Sequence, residues 1–516
     1  MHLAPCRLVA SLAALLPAGL LLPVAPGCSA GAAAPALAGA TPDAAADADA
    51  ADAATDDVAS LPGDGGADGA FLASELLGRP TSSSVTLSVV PAVDLEAYVE
   101  SGTNPGAYDH PTPPALHPAG EPFDVVLDGL APDTAYAYRL RWRHPGEAAY
   151  QAAPEHGFHT QRGPGTTFRF TVQADSHLDE NSDLDVYRRT LANVLADAPD
   201  FHIDLGDTFM CEKHSLALTS VVQIAPDQAT VDARYLYERG NFGLVAHSVP
   251  LFLVNGNHEG ELGYLFKGAG DDIATWATRA RLRYYLNPMP DAFYTGSAAA
   301  EPVVGARASY YAWQWGDALF VALDPFWYTK TKSNGDGWAW TLGEAQYRWL
   351  ADTLATSHAR FKFVFLHNLV GGLDGAMRGG VEAAPLYEWG GGNADGSAGF
   401  AQHRAGWGQA IHRLLVDARV TAVFHGHDHL YAKQDLDGIV YQEVPQPSAK
   451  NTMSGANLAT TYHYAAGTIL SSAGHLRVTV APDQVTGEYV RSWLPASETA
   501  QRKNGEIADR YTIAAP

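Results

Sequence analysis

Five short clusters of metal-capable side chains recur in the later part of the chain, each directly after an apolar run. The first is Val172-Gln173-Ala174-Asp175-Ser176-His177. Residues i and i+2 at a strand end point the same way, so Asp175 and His177 can grip one cation. The second is Asp204-Leu205-Gly206-Asp207-Thr208. Gly206 permits a sharp turn that projects the Asp207 carboxylate, whose two oxygens can bridge two ions. The third, Asn255-Gly256-Asn257-His258-Glu259, follows Pro250-Leu251-Phe252-Leu253-Val254. Asn257 offers a neutral hard oxygen and His258 a titratable imidazole. The fourth is His367, at the end of Phe363-Val364-Phe365-Leu366. The fifth, Phe424-His425-Gly426-His427-Asp428-His429, places three imidazoles within five residues at period two. Neutral imidazole is a common metal ligand. Each cluster alone has a plainer reading, such as a Gly-Asp turn or a packed core histidine. Together the donors are oxygen and nitrogen with no thiolate, which suits Mn, Fe or Zn and disfavours copper(I).

These groups need strands to carry them. From Phe168 onward short apolar runs alternate with amphipathic stretches. The pattern predicts strands over 168–172, 201–205, 250–254, 361–366 and 420–424, and helices over 184–197, 233–240, 343–355 and 407–417. Strands alternating with helices imply βαβ units in a layered α/β core, with the site at the carboxyl ends of the strands. Upstream, residues 71–162 read differently. Val85, Leu87 and Val89 alternate with Thr86, Ser88 and Val90, and Phe123-Asp124-Val125-Val126-Leu127 precedes Leu130-Ala131-Pro132-Asp133-Thr134-Ala135-Tyr136-Ala137-Tyr138. Period two with Gly and Pro punctuation predicts a small all-β sandwich.

The chain has 516 residues and a net charge of −24, which argues against nucleic-acid binding by a basic face. Eight Asp and one basic residue lie in the first 70 positions, so part of that charge says nothing about the site. Three cysteines exclude a disulfide framework and a multi-cysteine zinc site. Residues 8–25 are apolar but broken by Pro17, Gly19 and Pro23, which suits an export signal better than a membrane helix. Val24-Ala25-Pro26-Gly27-Cys28-Ser29 resembles a bacterial lipoprotein cleavage site, with Cys28 as the lipidated residue. Plain secretion and retention in the cytoplasm are the other readings. Residues 29–70, rich in Ala and Asp, cannot bury enough surface to order themselves and are expected to tether the protein outside the cytoplasm. Membrane contact is expected only through the lipid.

The order Asp-x-His, Gly-Asp, Gly-Asn-His-Glu, His, Gly-His-x-His resembles calcineurin-like metallophosphoesterases over residues 166–495, and leaves 496–516 as a C-terminal tail. The upstream run resembles fibronectin type III modules, which often precede purple acid phosphatase domains. The resemblance implies a four-layer αββα sandwich holding two divalent ions. By motif position Asp175, His177 and His429 would hold one, Asn257, His367 and His427 the other, and Asp207 both. Paired ions would lower the pKa of a bridging water for in-line attack on a small-molecule phosphate mono- or diester. His258 would assist the leaving group, and His425, which matches no ligand, would orient a neighbour or simply pack. One departure is informative: purple enzymes have an iron(III)-binding tyrosine three residues after the bridging Asp, where this chain has Met210, and lack the histidine present here as His177. A non-purple, divalent centre is therefore expected. In the Gly-rich stretch 371–407, Arg378 and Arg404 are candidates for pairing with phosphate or for surface ion pairs; aromatics there and in 284–296 could stack on a base or pack their loops. Two rivals remain. A β-lactamase-fold metallohydrolase needs His-x-His-x-Asp-His, which 425–429 falls one residue short of. A surface-anchored scaffold with an inactive enzyme domain is the other.

Overall fold

A computed structural model describes residues 69–212, 224–333, 335–371 and 378–516. The expected signal, Cys28 and most of the tether lie outside them. Among the described residues no helix is long and apolar enough to cross a membrane.

Two sheets face each other. The six-stranded sheet runs in the order Leu251–Leu253, Phe201–Asp204, Phe168–Gln173, Gly474–Val480, Gln484–Arg491, Ile507–Ala514. Its first three strands are parallel and the rest antiparallel. In the eight-stranded sheet Ala318–Ala322, Phe361–Phe365, Ala422–His425 and Ile439–Glu443 form the parallel centre. Alternation sorts the side chains: Phe361, Phe363 and Phe365 point into the core between the sheets, while Val364 and Leu366 face the outer layer. The inner core is largely aromatic, with Phe170, Phe201, Phe252, Trp313 and Phe320 interlocked at its centre. Helices Glu344–Thr356 and Ile411–Asp417 cover the outer face of the eight-stranded sheet. Helices Leu184–Ala196, Gln228–Ala246 and Ile273–Tyr284 pack beside the other, each started by an Asp whose side chain accepts first-turn N–H groups (Asp183, Asp227, Asp272). This is the expected four-layer sandwich.

The elements depart from the periodicity in places. The helix expected over 233–240 extends to Gln228–Ala246 because Asp227 caps it early. The one expected over 407–417 begins only at Ile411, after Gly408 takes a left-handed φ of 100°. The supposed tail is a correction: Ile507–Ala514 pairs along Gln484–Arg491 as an edge strand, and Tyr511 and Ile513 pack on the core. The adjacent charges Asp509 and Arg510 hide it as polar sequence.

The N-terminal β domain places Phe71–Gly78, Val85–Pro91 and Phe123–Leu127 over a second sheet built on Leu95–Gly102 and Ala135–Arg143. Leu77, Leu87, Val99, Tyr138 and Trp142 fill the space between. The Tyr136 hydroxyl accepts the Ala131 N–H at 2.8 Å and fixes the corner into its strand. The domain is fused to the larger one by a shared core: Ala73, Leu76 and Val90 pack with Phe209, Tyr235 and Phe242. Tyr138 donates to the His247 carbonyl at 2.6 Å, and Arg162 grips Asp200 through two 2.8 Å bonds. The 284–296 aromatics serve this seam, with Tyr285 in the shared core and the Tyr294 hydroxyl on the Pro80 carbonyl.

His202 sits under the six-stranded sheet, hydrogen-bonded to Thr171 at 2.8 Å. Burial pushes its pKa down to about 3, so it folds neutral, whereas the unfolded chain binds a proton near the usual value of about 6.5. The unfolded state therefore holds more protons at acid pH, and stability should fall progressively from pH about 6.5 toward about 3. Replacing His202→Gln should flatten that limb in denaturant titrations across pH; an unchanged slope would rule His202 out as its cause.

Candidate metal centre

All five motif loops emerge at the carboxyl ends of strands, and the two sheets bring them to one edge. The first two are laced together by backbone: the Asp175 N–H donates to the Gly206 carbonyl at 2.9 Å and the His177 N–H to the Asp207 carbonyl at 3.0 Å. Arg234, buried in the helix Gln228–Ala246, reinforces this. It donates to the carbonyls of His177 at 2.6 Å and Phe209 at 2.9 Å, and pairs with Glu238. Glu259 holds the turn after Asp207, accepting from the N–H groups of Asp207, Thr208 and Phe209 and of Gly256. Gly206 takes φ 90°, and a side chain there would collide with the backbone of Gly256. Gly426 lies so close to Asp175 that a Cβ would stand 2.6 Å from its carboxylate. Left-handed φ values recur at Asp175, His177, Asp207, His427 and His429. Each costs roughly 1–2 kcal/mol for a residue other than Gly, so the loops are strained where they carry the polar groups.

Two clusters result. Asp175, His177 and His429 bring one donor atom each within 4.8 Å of one another, and so do Asp207, His367 and His427. They share a centre. The His177 Nε2 lies 3.7 Å from both Asp175 Oδ1 and Asp207 Oδ2, and the His367 Nε2 lies 3.1 Å from Asp207 Oδ2. The other nitrogen of His367 is fixed on the Leu205 carbonyl at 2.9 Å. Asp175 and Asp207 use their second oxygens to accept the N–H groups of His427 and His258, both at 2.8 Å.

The fit to cations rests on what is left over. Among the described residues, Asp175 Oδ1, His177 Nε2, Asp207 Oδ2 and Asn257 Oδ1 are buried without a hydrogen-bond partner. Such atoms cost about 1–3 kcal/mol each, which a cation would repay. The electrostatics agree. Burial pushes both carboxyls up, yet the surrounding imidazoles, His367 foremost at Asp207, hold Asp207 well below and Asp175 below the ordinary range. Burial opposes protonation of His177 and His367, but their carboxylate neighbours raise them to about 10 and about 9. The carboxylates thus demand positive charge at this point. His427 and His429 are pushed down by burial and stay neutral, as ligands must.

His258 stands at the rim. Its Nδ1 meets Glu212 at 3.0 Å, and its Nε2 lies 3.8 Å from Asp207 Oδ2. Glu212 had no sequence motif; its only signal is an acid five residues after Asp207. Asp179, 3.4 Å from the His177 Nδ1, repeats the i+2 spacing once more and could have been read from it. His425 does not reach the clusters through any hydrogen bond: it is fully buried with its Nδ1 2.6 Å from Glu443, beneath the loop of His427 and His429.

The two arginines are placed otherwise than as free phosphate ligands. Arg404 is taken up by buried Glu388 and by the carbonyls of Trp338 and Trp340, and pins the insertion to its base. Arg378 lies 2.8 Å from Asp428 and donates to the His427 carbonyl at 2.9 Å. Met210 is fully buried, three positions after Asp207 as counted.

Comparisons with known proteins agree with this architecture. A search of curated protein sequences gave no significant match. Among solved structures, the chain superposes on PhoD with a TM-score of 0.59 at 14% identity, covering 89% of this chain and 91% of that one. It superposes on purple acid phosphatase PPD1 from yellow lupin seeds with a TM-score of 0.55 at 14% identity, covering 85% and 74%. At such identity the likeness concerns the fold. The family model for calcineurin-like phosphoesterases matches residues 168–431, just over half the chain and all five motifs. The chain belongs to the calcineurin-like phosphoesterase family.

Proposed function

We propose that this protein is a phosphoesterase dependent on two divalent metal ions, acting on small-molecule phosphate mono- or diesters. The observation that carries this reading is the set of unpartnered buried donors on Asp175, His177 and Asp207 where the two clusters meet, with a further unpartnered oxygen on Asn257 in the neighbouring motif loop. Asp175, His177 and His429 would hold one ion, Asn257, His367 and His427 the other, with Asp207 between them. Bound ions would supply Lewis-acid activation of water and charge for the phosphoryl oxygens. Mn, Fe or Zn suits the donors.

The chain's own residues do the rest. The left-handed loops fix the donors before substrate arrives. Glu212 faces the His258 Nδ1 and orients the ring, leaving Nε2 on the side of Asp207 to give a proton to the departing oxygen. His425, through Glu443, helps to hold the loop of His427 and His429. The N-terminal domain we read as a fibronectin III-like spacer, supported by its two sheets and the Tyr136 corner. We place the protein outside the cytoplasm, held by lipid on Cys28, because an apolar leader and an acidic tether precede the folded part. An inactive scaffold would have no need to keep these strained loops and unpartnered donors.

A panel of phosphate mono- and diesters assayed with Mn, Zn and Fe should show metal-dependent turnover. His258→Ala should lower kcat by about 10²–10⁴, most for poor leaving groups. Turnover unaffected by chelation, or by that substitution, would contradict the reading. The metal-loaded protein should show no intense visible band, since Met210 replaces the tyrosine of purple enzymes; a band lost on Met210 substitution would contradict a divalent centre. Cys28→Ser should move the protein from the detergent to the aqueous phase on phase separation; unchanged partitioning would remove the lipid anchor.

A further inference from the structure

Behind the fifth motif lies a buried polar cluster that takes no direct part in the proposed chemistry. Asp428, His425 and Glu443 are fully buried, and Tyr464 nearly so. The Asp428 N–H donates to Glu443 at 2.9 Å, and the Tyr464 hydroxyl donates to the Asp428 carboxylate at 2.9 Å. Glu443 meets the His425 Nδ1 at 2.6 Å. Arg378 closes the cluster. Its Nε lies 2.8 Å from Asp428 Oδ1, its Nη2 donates to the His427 carbonyl at 2.9 Å, and its guanidinium lies 4.0 Å over the Tyr462 ring.

We propose that Arg378 is a positioning residue that, with Asp428, locks the His427–His429 loop in its metal-holding conformation, and is not a phosphate ligand. This rests on the metal-centre reading above. His427 has φ 85° and His429 φ 58°, conformations that residues with a Cβ keep only when neighbours impose them. The carbonyl of His427 is therefore a natural point to hold. The planar guanidinium holds that carbonyl through Nη2 while its charge stays against the Asp428 carboxylate, a fixed geometry that a flexible lysine ammonium does not reproduce. The guanidinium already has a buried carboxylate on one side and a protein carbonyl on another. Arg378 also comes from the connection that follows His367, so its clamp ties the loop after the fourth motif to the fifth. Both His367 and His427 belong to the second cluster.

The test uses the full chain stripped of metal, in wild-type form and as Arg378→Lys and Asp428→Asn. Mn(II) binding is followed by equilibrium dialysis, and KM and kcat are measured on a p-nitrophenyl phosphate ester at saturating Mn(II). Both variants should weaken one of two Mn(II) sites by about 10–100-fold while the KM at saturating Mn(II) stays unchanged. The stripped proteins should melt together with wild type. If Arg378→Lys does not fold, the isosteric Asp428→Asn carries the comparison. Unchanged Mn(II) affinities with a raised KM would overturn the proposal and make Arg378 a phosphate ligand. Unchanged affinities with an unchanged KM would overturn it by leaving Arg378 no role. Wild type that binds no Mn(II) would instead overturn the metal-centre reading, and the proposal with it.

Discussion

Asp175 and Asp207 are carboxylates with essentially no solvent exposure, set at the edge where two sheets end. Each spends one oxygen on a backbone N–H from another loop and leaves the other facing the shared centre. Isolated charges in such a place are costly unless paired or bound to a metal. The imidazoles of His177 and His367 crowd around them for the same reason. Much else in the fold can be understood as the means of holding these two groups where a cation would satisfy them. The glycines at 206 and 426 let the loops approach, Glu259 absorbs the N–H groups of the Asp207 turn, and Arg234 ties that turn to the His177 loop.

The surrounding architecture supplies rigidity. A core of interlocked aromatic rings fixes the two sheets face to face, so the ends of Phe168–Gln173, Phe201–Asp204, Phe361–Phe365 and Ala422–His425 keep their relative positions. The N-terminal domain shares a core with the Asp207 side of the molecule through Phe209. It therefore buttresses the loop that follows Asp207 and is not merely strung beside it.

How much of this was legible in the chain follows from the physics of each signal. Strand ends could be read because short apolar runs stop abruptly at polar residues, and the structure brings Asp175, His177, Asp207, His367, His427 and His429 together there. Asn257 lies in the same array of loops, with a buried, unpartnered oxygen. The partners that orient these groups were not legible. Glu212, Arg234 and Glu443 are single charged residues whose roles depend on contacts across the fold, and no spacing announces them. Arg378 and Arg404 looked alike in sequence, yet burial gives each a protein carboxylate, Asp428 and Glu388. The strand Ile507–Ala514 was missed because Asp509 and Arg510 stand side by side in it and break the alternation, although Asp509 is taken up by the Tyr431 hydroxyl across the fold.

The central claim is that the two clusters form one centre for two cations. Anomalous diffraction from crystals grown with Mn(II) addresses it directly. Two peaks should appear, one among Asp175, His177 and His429 and one among Asn257, His367 and His427, with Asp207 reaching both. Density without a peak among these residues, or Mn(II) held elsewhere on the chain, would contradict it.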